Sequence, residues 1–535
     1  MRDYIIEVAI FKILAMNLRA EHPQTTELEP TRLLNLPSHK DILKLSGLSE
    51  GQFPESKYRE YVRALNERMR LLETQMGSLT YNLEELRPKL EYASKLVVAH
   101  FDVVEVFLKE AWREITRLTK QTDLFPNHNN WFLVEESMDQ LSEQIRDLKF
   151  ALANLYTIGG FQATSVKTSR EVQAGIGQRA DTDLRAEYSR YDLLPVRAER
   201  YYDELIQKPE GVNSRTLLFG SGMASVTTVL ALAKSEYQKE VFLTGTHLYF
   251  ENQNQTNQLF TDIGEERLAT FDERYPDGLR IRMDDDPAVV FVETIGNMRD
   301  MPSVDVDDIL QADTRHNRRL VVLDITLSGP NFDSKHLLRN MDENTVVILV
   351  NSLQKLYQEG DGVAAAGALT VLSRNKDWTD EITAKLHSFR GMLGTHVTPQ
   401  NVKLLQRINP EAVRSFARRI GTNVAEIATT LREANLPVVD KIVTGRMHTD
   451  GTSEAAAFYI QLKHDCGQTF VDTVVQKAAA RNIQLTDGAS FGFKTTRLMV
   501  IGGDTTAVRI CPGTENPRQI SELITIFKET LEELQ

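Results

Sequence analysis

The sequence predicts an α/β protein: a large domain built on a mostly parallel sheet, an α+β C-terminal domain after it, and a helical N-terminal extension before it. Three observations carry that reading. Between residues 216 and 399, short apolar runs alternate with helix-patterned stretches, the sequence mark of strand–helix–strand units. Residues 1–160 are rich in Leu, Glu, Lys and Arg, with apolar residues at three- and four-residue steps. Residues 400–535 mix helical stretches with isolated strand-like runs.

In the extension, Tyr58, Tyr61, Val62, Leu65, Met69, Leu72 and Met76 recur at helical spacing, which places them on one face of an amphipathic helix. Residues 94–118 and 134–155 repeat the pattern, and Pro126-Asn127-His128-Asn129-Asn130 predicts a turn between those two. No titratable cluster suited to catalysis accompanies these stripes, so the extension reads as a layer for packing or assembly. Residues 4–12 are apolar but broken by Glu7 and Lys12, which predicts a structural helix and no signal peptide.

Gly159-Gly160 opens a loop-rich arm, residues 161–215. In the large domain, residues 216–399, the apolar runs fall at 241–243, 288–292, 320–323, 346–350 and 364–371. Runs of that length bounded by turn residues predict buried strands. In the C-terminal domain the pattern is a helix over 400–436, strands over 438–443 and 456–462, and a helix near 468–481. Strands over 496–501 and 507–511 and a last helix from Pro517 complete it.

The formal net charge of -13 argues against nucleic acid, since phosphate binding needs clustered Lys and Arg, and no basic tract exceeds Arg318-Arg319 or Arg418-Arg419. No run of about 18 apolar residues occurs, so no membrane span is expected. Two cysteines, Cys466 and Cys511, cannot build a disulfide framework or a zinc knuckle. A reducing, cytoplasmic compartment and no metal site are expected.

The chemistry concentrates at strand ends. The run 346–350 leads into Asn351-Ser352-Leu353-Gln354-Lys355, and Gly360-Asp361-Gly362 then turns the chain. The run 320–323 delivers Asp324. Residues just past buried strands sit where α/β folds place their ligands. A lysine that can form a Schiff base and an acid that can pair with a pyridinium nitrogen are what pyridoxal phosphate requires. Phe219-Gly220-Ser221-Gly222-Met223-Ala224 supplies a glycine turn opening a helix, a cradle for phosphate.

This order of parts resembles the fold-type I pyridoxal phosphate enzymes of cysteine and methionine metabolism, the family of the cystathionine synthases and lyases, methionine γ-lyase and the sulfhydrylases. The resemblance runs from about Tyr188 to the C-terminus and leaves the extension outside. Tyr188-Ser189-Arg190 with Pro195 resembles the family's Tyr-Ser-Arg arm, which implies that Tyr188 and Arg190 reach the cofactor phosphate of a neighbouring subunit. A guanidinium and a phenol suit a phosphate dianion. Ser221-Gly222-Met223-Ala224 resembles the phosphate loop, with the backbone of Gly222 and Met223 facing the anion. Tyr249 sits where a stacking tyrosine is implied, able to relay protons.

Glu293-Thr294-Ile295-Gly296-Asn297 resembles Glu-Thr-Pro-Ser-Asn and implies that Asn297 bonds the cofactor's 3-hydroxyl; Ile295 and Gly296 depart from that pattern. Asp324-Ile325-Thr326 resembles Asp-Asn-Thr. It implies Asp324 on the ring nitrogen, with Thr326 orienting that neighbourhood. Ser352-Leu353-Gln354-Lys355 resembles Ser-Ala-Thr-Lys, with Ser352 on the phosphate, Lys355 on the aldehyde and Gln354 in place of the usual Thr. Gly394-Thr395-His396-Val397-Thr398-Pro399 resembles the passage into the small domain. Arg509 is the implied clamp for a substrate α-carboxylate, with Ser490 beside it.

The resemblance implies a pyridoxal phosphate enzyme that takes a small amino-acid substrate and assembles as a homodimer or homotetramer. The expected activity is γ-elimination or γ-replacement. The departures at 295–296 and 354, with the extension, point to a specialised member, for which an unsaturated or halogenated amino acid is a fair substrate. The rival readings are β-elimination, transamination or decarboxylation on the same fold, and a non-catalytic scaffold. The intact set of Lys355, Asp324, Tyr188 and Arg190 speaks against a scaffold.

Overall fold

The computed structural model describes residues 54–92, 95–120, 131–158, 195–237, 239–261, 267–405, 409–501 and 506–534, with the single positions 40 and 50. The segment 4–12, the turn at 126–130, and Tyr188 and Arg190 lie outside the described residues. The chain divides into two compact units, Met1–Tyr188 and Ser189–Gln535.

The first unit contains three long helices, α1 (Glu55–Leu86), α2 (Lys95–Lys120) and α3 (Trp131–Ile158). Their apolar stripes pack against one another. Tyr61, Leu65, Met69 and Met76 of α1 share a core with Phe101, Ala111 and Ile115 of α2 and with Met138, Leu141 and Ile145 of α3. Val62 falls outside that core and Tyr58 lies at its margin. The stripes are thus satisfied within the unit. Polar ties add register: the Trp112 indole donates to Thr80 Oγ1 at 2.9 Å, and Arg68 pairs with Asp139.

The second unit holds two sheets. The larger has strands β1 (Asn213–Phe219), β2 (Phe242–Gly245), β3 (Leu268–Phe271), β4 (Val289–Glu293), β5 (Arg319–Asp324), β6 (Thr345–Ser352) and β7 (Gly367–Ser373). Their order is β1-β7-β6-β5-β4-β2-β3. Only β7 runs against its neighbours β1 and β6; the other pairs are parallel. Successive side chains serve opposite faces. Leu320, Val322, Val346 and Ile348 join one core, and Val321, Leu323, Val347 and Leu349 join another. Burial on both faces explains why these strands read as continuous apolar runs.

Around this sheet lie α4 (Val196–Leu205), α5 (Gly222–Glu236), α6 (Phe250–Phe260) and α7 (Lys376–Leu393). Val229 and Leu230 of α5 and Ile382 and Leu386 of α7 cover one face. Short helices at Pro276–Met283 and Val306–Leu310 cover the other. The loop-rich stretch expected over 161–215 contains α4 and the start of β1. The strands β1 and β3, which the apolar runs do not reveal, are the two edges of the sheet. Strand β1 opens on the polar run Asn213-Ser214-Arg215-Thr216, although Ser214 and Thr216 are buried, and β3 buries only Phe271, so neither reads as an apolar run.

The second sheet uses β8 (Val439–Thr444), β9 (Phe458–Leu462), β10 (Thr486–Asp487), β11 (Arg497–Ile501) and β12 (Ala507–Cys511) in the order β10-β11-β12-β9-β8. It packs with α8 (Pro410–Glu433), α9 (Gly467–Ala480) and α10 (Pro517–Glu533). The helix expected over 400–436 is two helices, Pro399–Leu405 and α8. Proline lacks the N–H that a continuous helix needs at position 410, and the Asn409 side chain instead caps α8 by accepting from Glu411 N and Ala412 N. No helix of the described residues is long and apolar enough to cross a membrane.

Ile348 is fully buried in the central strand β6. Its replacement by Ala removes apolar contact and leaves a cavity, lowering stability by about 2–5 kcal/mol. Met392→Ala, at an exposed position of α7, should change stability by no more than about 0.5 kcal/mol. Urea unfolding followed by circular dichroism compares the two.

Candidate active site

A cavity of about 910 Å³ opens at the carboxyl ends of the central strands. The register sets Glu293 at the end of β4 beside Asp324 at the end of β5, with Val350 of β6 next in line. Parallel strands that finish together leave their next residues facing one crevice. The start of α5 contributes Gly222 and Met223, and the start of α6 contributes Tyr249. Asn297 follows β4, Asp324 and Thr326 come from β5, and Ser352, Gln354 and Lys355 from β6. The C-terminal segment adds Ser490 and Arg509. The sequence-predicted site residues within the described region therefore meet in one place.

One end of the cavity is built for an anion. Ser221 caps α5, its Oγ accepting from Ala224 N at 3.0 Å. A Cβ on Gly222 would stand 2.8 Å from the Ser352 Cβ, so only glycine lets the helix start approach β6 this closely. The first residue of β7, Gly367, is under a similar constraint from the Ser221 carbonyl. Thr326 Oγ1 accepts from Ser352 N at 3.1 Å and ties the β5 loop to the end of β6. A helix start with its backbone N–H groups turned to a cavity attracts negative charge.

At the sheet end lies a buried acidic pair. Asp324 Oδ1 accepts from Thr326 N at 2.9 Å. The Asn252 amide donates to Asp324 Oδ2 and to Glu293 Oε1, each at 2.9 Å. Glu293 Oε1 also accepts from Tyr249 N. Burial raises the Asp324 carboxyl above its ordinary range. Burial, then the neighbouring Asp324 charge, pushes Glu293 up to about 8. No ion pair of Asp324 occurs among the described residues.

Lys355 Nζ donates to Ser490 Oγ at 2.5 Å and lies 5.4 Å from the centre of the Phe491 ring. Burial, then the Arg509 charge, lowers its pKa. Ser490 is held at φ 81°, a left-handed conformation that side chains other than glycine rarely adopt. The strain is of order 1–3 kcal/mol, and it aims the hydroxyl at the lysine. Arg509 Nη1 and the Tyr459 hydroxyl both donate to Asn297 Oδ1 at 3.2 Å. That fixes the amide so that its NH₂ group is left for another acceptor. Met499, Arg509 and Tyr459 are direct cross-strand neighbours on β11, β12 and β9, so one row of the second sheet forms a wall of the cavity. Burial, then Glu251, raises the Tyr249 phenol.

The sequence did not reveal Asn252, Tyr459 or Glu251. Asn252 carried a usable signal: it follows Tyr249 by three residues at a helix start and so shares its face. Tyr459 carried none, because a tyrosine inside an apolar strand reads as core. His247 lies outside the cavity lining; its Nδ1 is 3.1 Å from Glu273 Oε2, whose carboxylate also takes the backbone N–H of Thr246 and His247.

The residues present fit pyridoxal phosphate. A helix start and the Ser352 hydroxyl suit the phosphate, the unpaired Asp324 suits a pyridinium nitrogen, and Lys355 suits the aldehyde. Arg509 keeps a buried Nε without a partner. Residues 154–454 match the family of Cys/Met metabolism PLP-dependent enzymes. In structure, the chain is similar to a cystathionine gamma synthase from Xanthomonas oryzae pv. oryzae in complex with cystathionine. The two are 17% identical, with a TM-score of 0.51 over 67% of this chain and 90% of that one. It is also similar to metB from Corynebacterium glutamicum, at 16% identity and a TM-score of 0.50, over 67% and 89% of the two chains. At such identity the likeness shows the fold. No curated protein matches the chain in sequence. With more than half of its length matched and its fold that of the fold-type I enzymes, this chain belongs to the pyridoxal phosphate-dependent enzymes of cysteine and methionine metabolism.

Proposed function

We propose that the protein is an amino-acid lyase that expels a γ-substituent, or a transferase that replaces one. The observation that supports this most is the convergence of Lys355, Tyr249 and Arg509 on one cavity. Bound pyridoxal phosphate supplies an electron sink joined to the substrate's α-carbon.

In this reading Lys355 would hold the cofactor through its aldehyde and would serve as a base once a substrate amine is bound. Arg509 then fixes the substrate carboxylate through two parallel N–H donors. The freed Lys355 amine takes the α-proton, and its lowered pKa leaves more of it neutral and able to do so. Asp324 holds the ring nitrogen protonated, and Asn297 presents its NH₂ group to the 3-hydroxyl. With the α-proton handed on to the cofactor, Lys355 would accept the β-proton as well, which readies the γ-bond to break. The leaving group departs with the bonding pair and accepts a proton from Tyr249, whose raised pKa keeps its phenol protonated near neutral pH. Phe250, Ile295, Met298, Phe491, Met499 and Ile501 line the cavity, so its apolar surface suits a thiol, an activated oxygen or a halide leaving group, including that of an unsaturated or halogenated amino acid.

The arm with Tyr188 and Arg190 is proposed to complete the phosphate site of a neighbouring subunit, which requires a homodimer or a homotetramer. Both cysteines are free, in keeping with a reducing cytoplasmic setting.

Incubation with γ- and β-substituted amino acids tests the reaction. γ-Elimination yields a four-carbon 2-oxo acid from a four-carbon substrate, and a three-carbon product from β-substituted substrates alone would favour β-elimination. Lys355→Ala should lower turnover by about 10²–10⁴-fold or more; a variant retaining substantial turnover contradicts the role of the lysine. The pH profile of kcat should rise as Lys355 deprotonates and fall as Tyr249 ionises. Tyr249→Phe should remove the alkaline limb and leave the acid one. Mixing Arg190→Ala with Lys355→Ala subunits should restore activity, because one site of the hybrid joins a good lysine to a good arm. Absence of rescue after verified subunit exchange places the arm within its own chain.

A further inference from the structure

The buried polar groups that the proposed reaction leaves unused lie behind Asp324. Asn252 is 1% exposed and sits on the first turn of α6. Its Nδ2 spans the two carboxylates, 2.9 Å from Glu293 Oε1 and 2.9 Å from Asp324 Oδ2, while its Oδ1 is buried with no partner. Nothing in sheet packing demands this. Paired apolar residues at these strand ends would fill the same space without burying charge.

Two ionised carboxylates joined by one neutral amide, away from water, repel each other strongly, so the pair retains a proton. Both Asp324 oxygens accept hydrogen bonds, Oδ1 from Thr326 N and Oδ2 from Asn252. Glu293 takes hydrogen bonds from Tyr249 N and Asn252 on Oε1 and one from the Asn297 backbone, yet burial, then the Asp324 charge, still raises it. Charge is therefore better supported on Asp324, and the proton on Glu293. The titratable groups facing Glu293 are Asp324 on β5 and the Tyr249 phenol at the start of α6. Lys355, Arg509, Arg299 and Glu251 line the same cavity.

We propose that Asn252 is a positioning residue: its amide clamps Glu293 and Asp324 into a pair that keeps one proton on Glu293 and presents a single negative charge, on Asp324, to the cofactor's ring nitrogen. The inference rests on the assignment of Asp324 to that nitrogen. Glu293 is then a neutral acid that shapes the site without adding a second charge. Loss of the bridge frees the Asp324 carboxylate to turn, and ionisation of Glu293 places two like charges in one buried space.

The sign of the consequence in cofactor-free protein follows from the raised Glu293 pKa. The folded state holds a proton that the unfolded chain releases near its ordinary carboxylate range. Stability therefore falls as pH rises from that range to about 8, and the penalty is complete above it.

The test uses full-length, cofactor-free protein, its thermal stability between about pH 5 and pH 9, and its affinity for added pyridoxal phosphate. Glu293→Gln should flatten the fall in stability with pH and lose less cofactor affinity than Asn252→Leu. Asn252→Leu should weaken cofactor binding by about tenfold or more. If it does not fold, Asn252→Ser removes the bridge at smaller volume and is read in the same way. An unchanged pH slope in Glu293→Gln overturns the proposal, as does unchanged affinity when the bridge is removed. Asp324→Asn serves as the control: if it binds cofactor as tightly as the natural chain, the assignment of Asp324 itself fails, a result distinct from failure of the clamp.

Discussion

Asp324 is a carboxylate buried at the end of a central parallel strand, and a buried charge must find an opposite charge, a proton or a set of donors. Much of the site can be read as a response to that constraint. Thr326 and Asn252 supply donors. Glu293, on the adjacent strand, is held near enough to be pushed toward neutrality. What remains is a negative group open to the cavity and, among the described residues, without an ion-pair partner, which the proposed protonated pyridine ring would supply. The same Thr326 reaches across to Ser352, so the acid at one end of the cavity and the anion cradle at the other are joined through one loop.

The second sheet acts on this arrangement from the far side. Cross-strand pairing aligns Met499, Arg509 and Tyr459, and two of the three fix the Asn297 amide. Ser490, in a strained conformation, holds Lys355. Arg509 and Ser490, proposed to meet the substrate carboxylate, therefore also hold Asn297 and Lys355, proposed to meet the cofactor. A movement of this sheet would alter both together, a coupling that suits closure around a substrate.

The strands buried on both faces, β4, β5 and β6, were legible because burial leaves them almost wholly apolar. The residues at their ends were legible because ligands gather there. The edge strands β1 and β3 were not, since β1 opens on four polar residues and β3 buries only Phe271. The break at Pro410 was written in the sequence but hidden by helical patterning on both sides of it. Within the site, motif order carried Lys355, Asp324 and Asn297, and pairing across sheets carried Tyr459, which no local pattern could. Asn252 falls between these cases, one helical turn from a recognised tyrosine. The extension's stripes were legible as helices, whereas their partners were not; they close on one another in a separate three-helix core.

The central claim is that Lys355 holds pyridoxal phosphate in this cavity. The most direct measurement is reduction of the purified, cofactor-loaded protein with borohydride, followed by digestion and mass analysis of the peptides. The account predicts a pyridoxyl group on the peptide containing Lys355 and on no other. A pyridoxyl group on a different lysine, or tightly bound cofactor that borohydride does not attach to the chain, would contradict it.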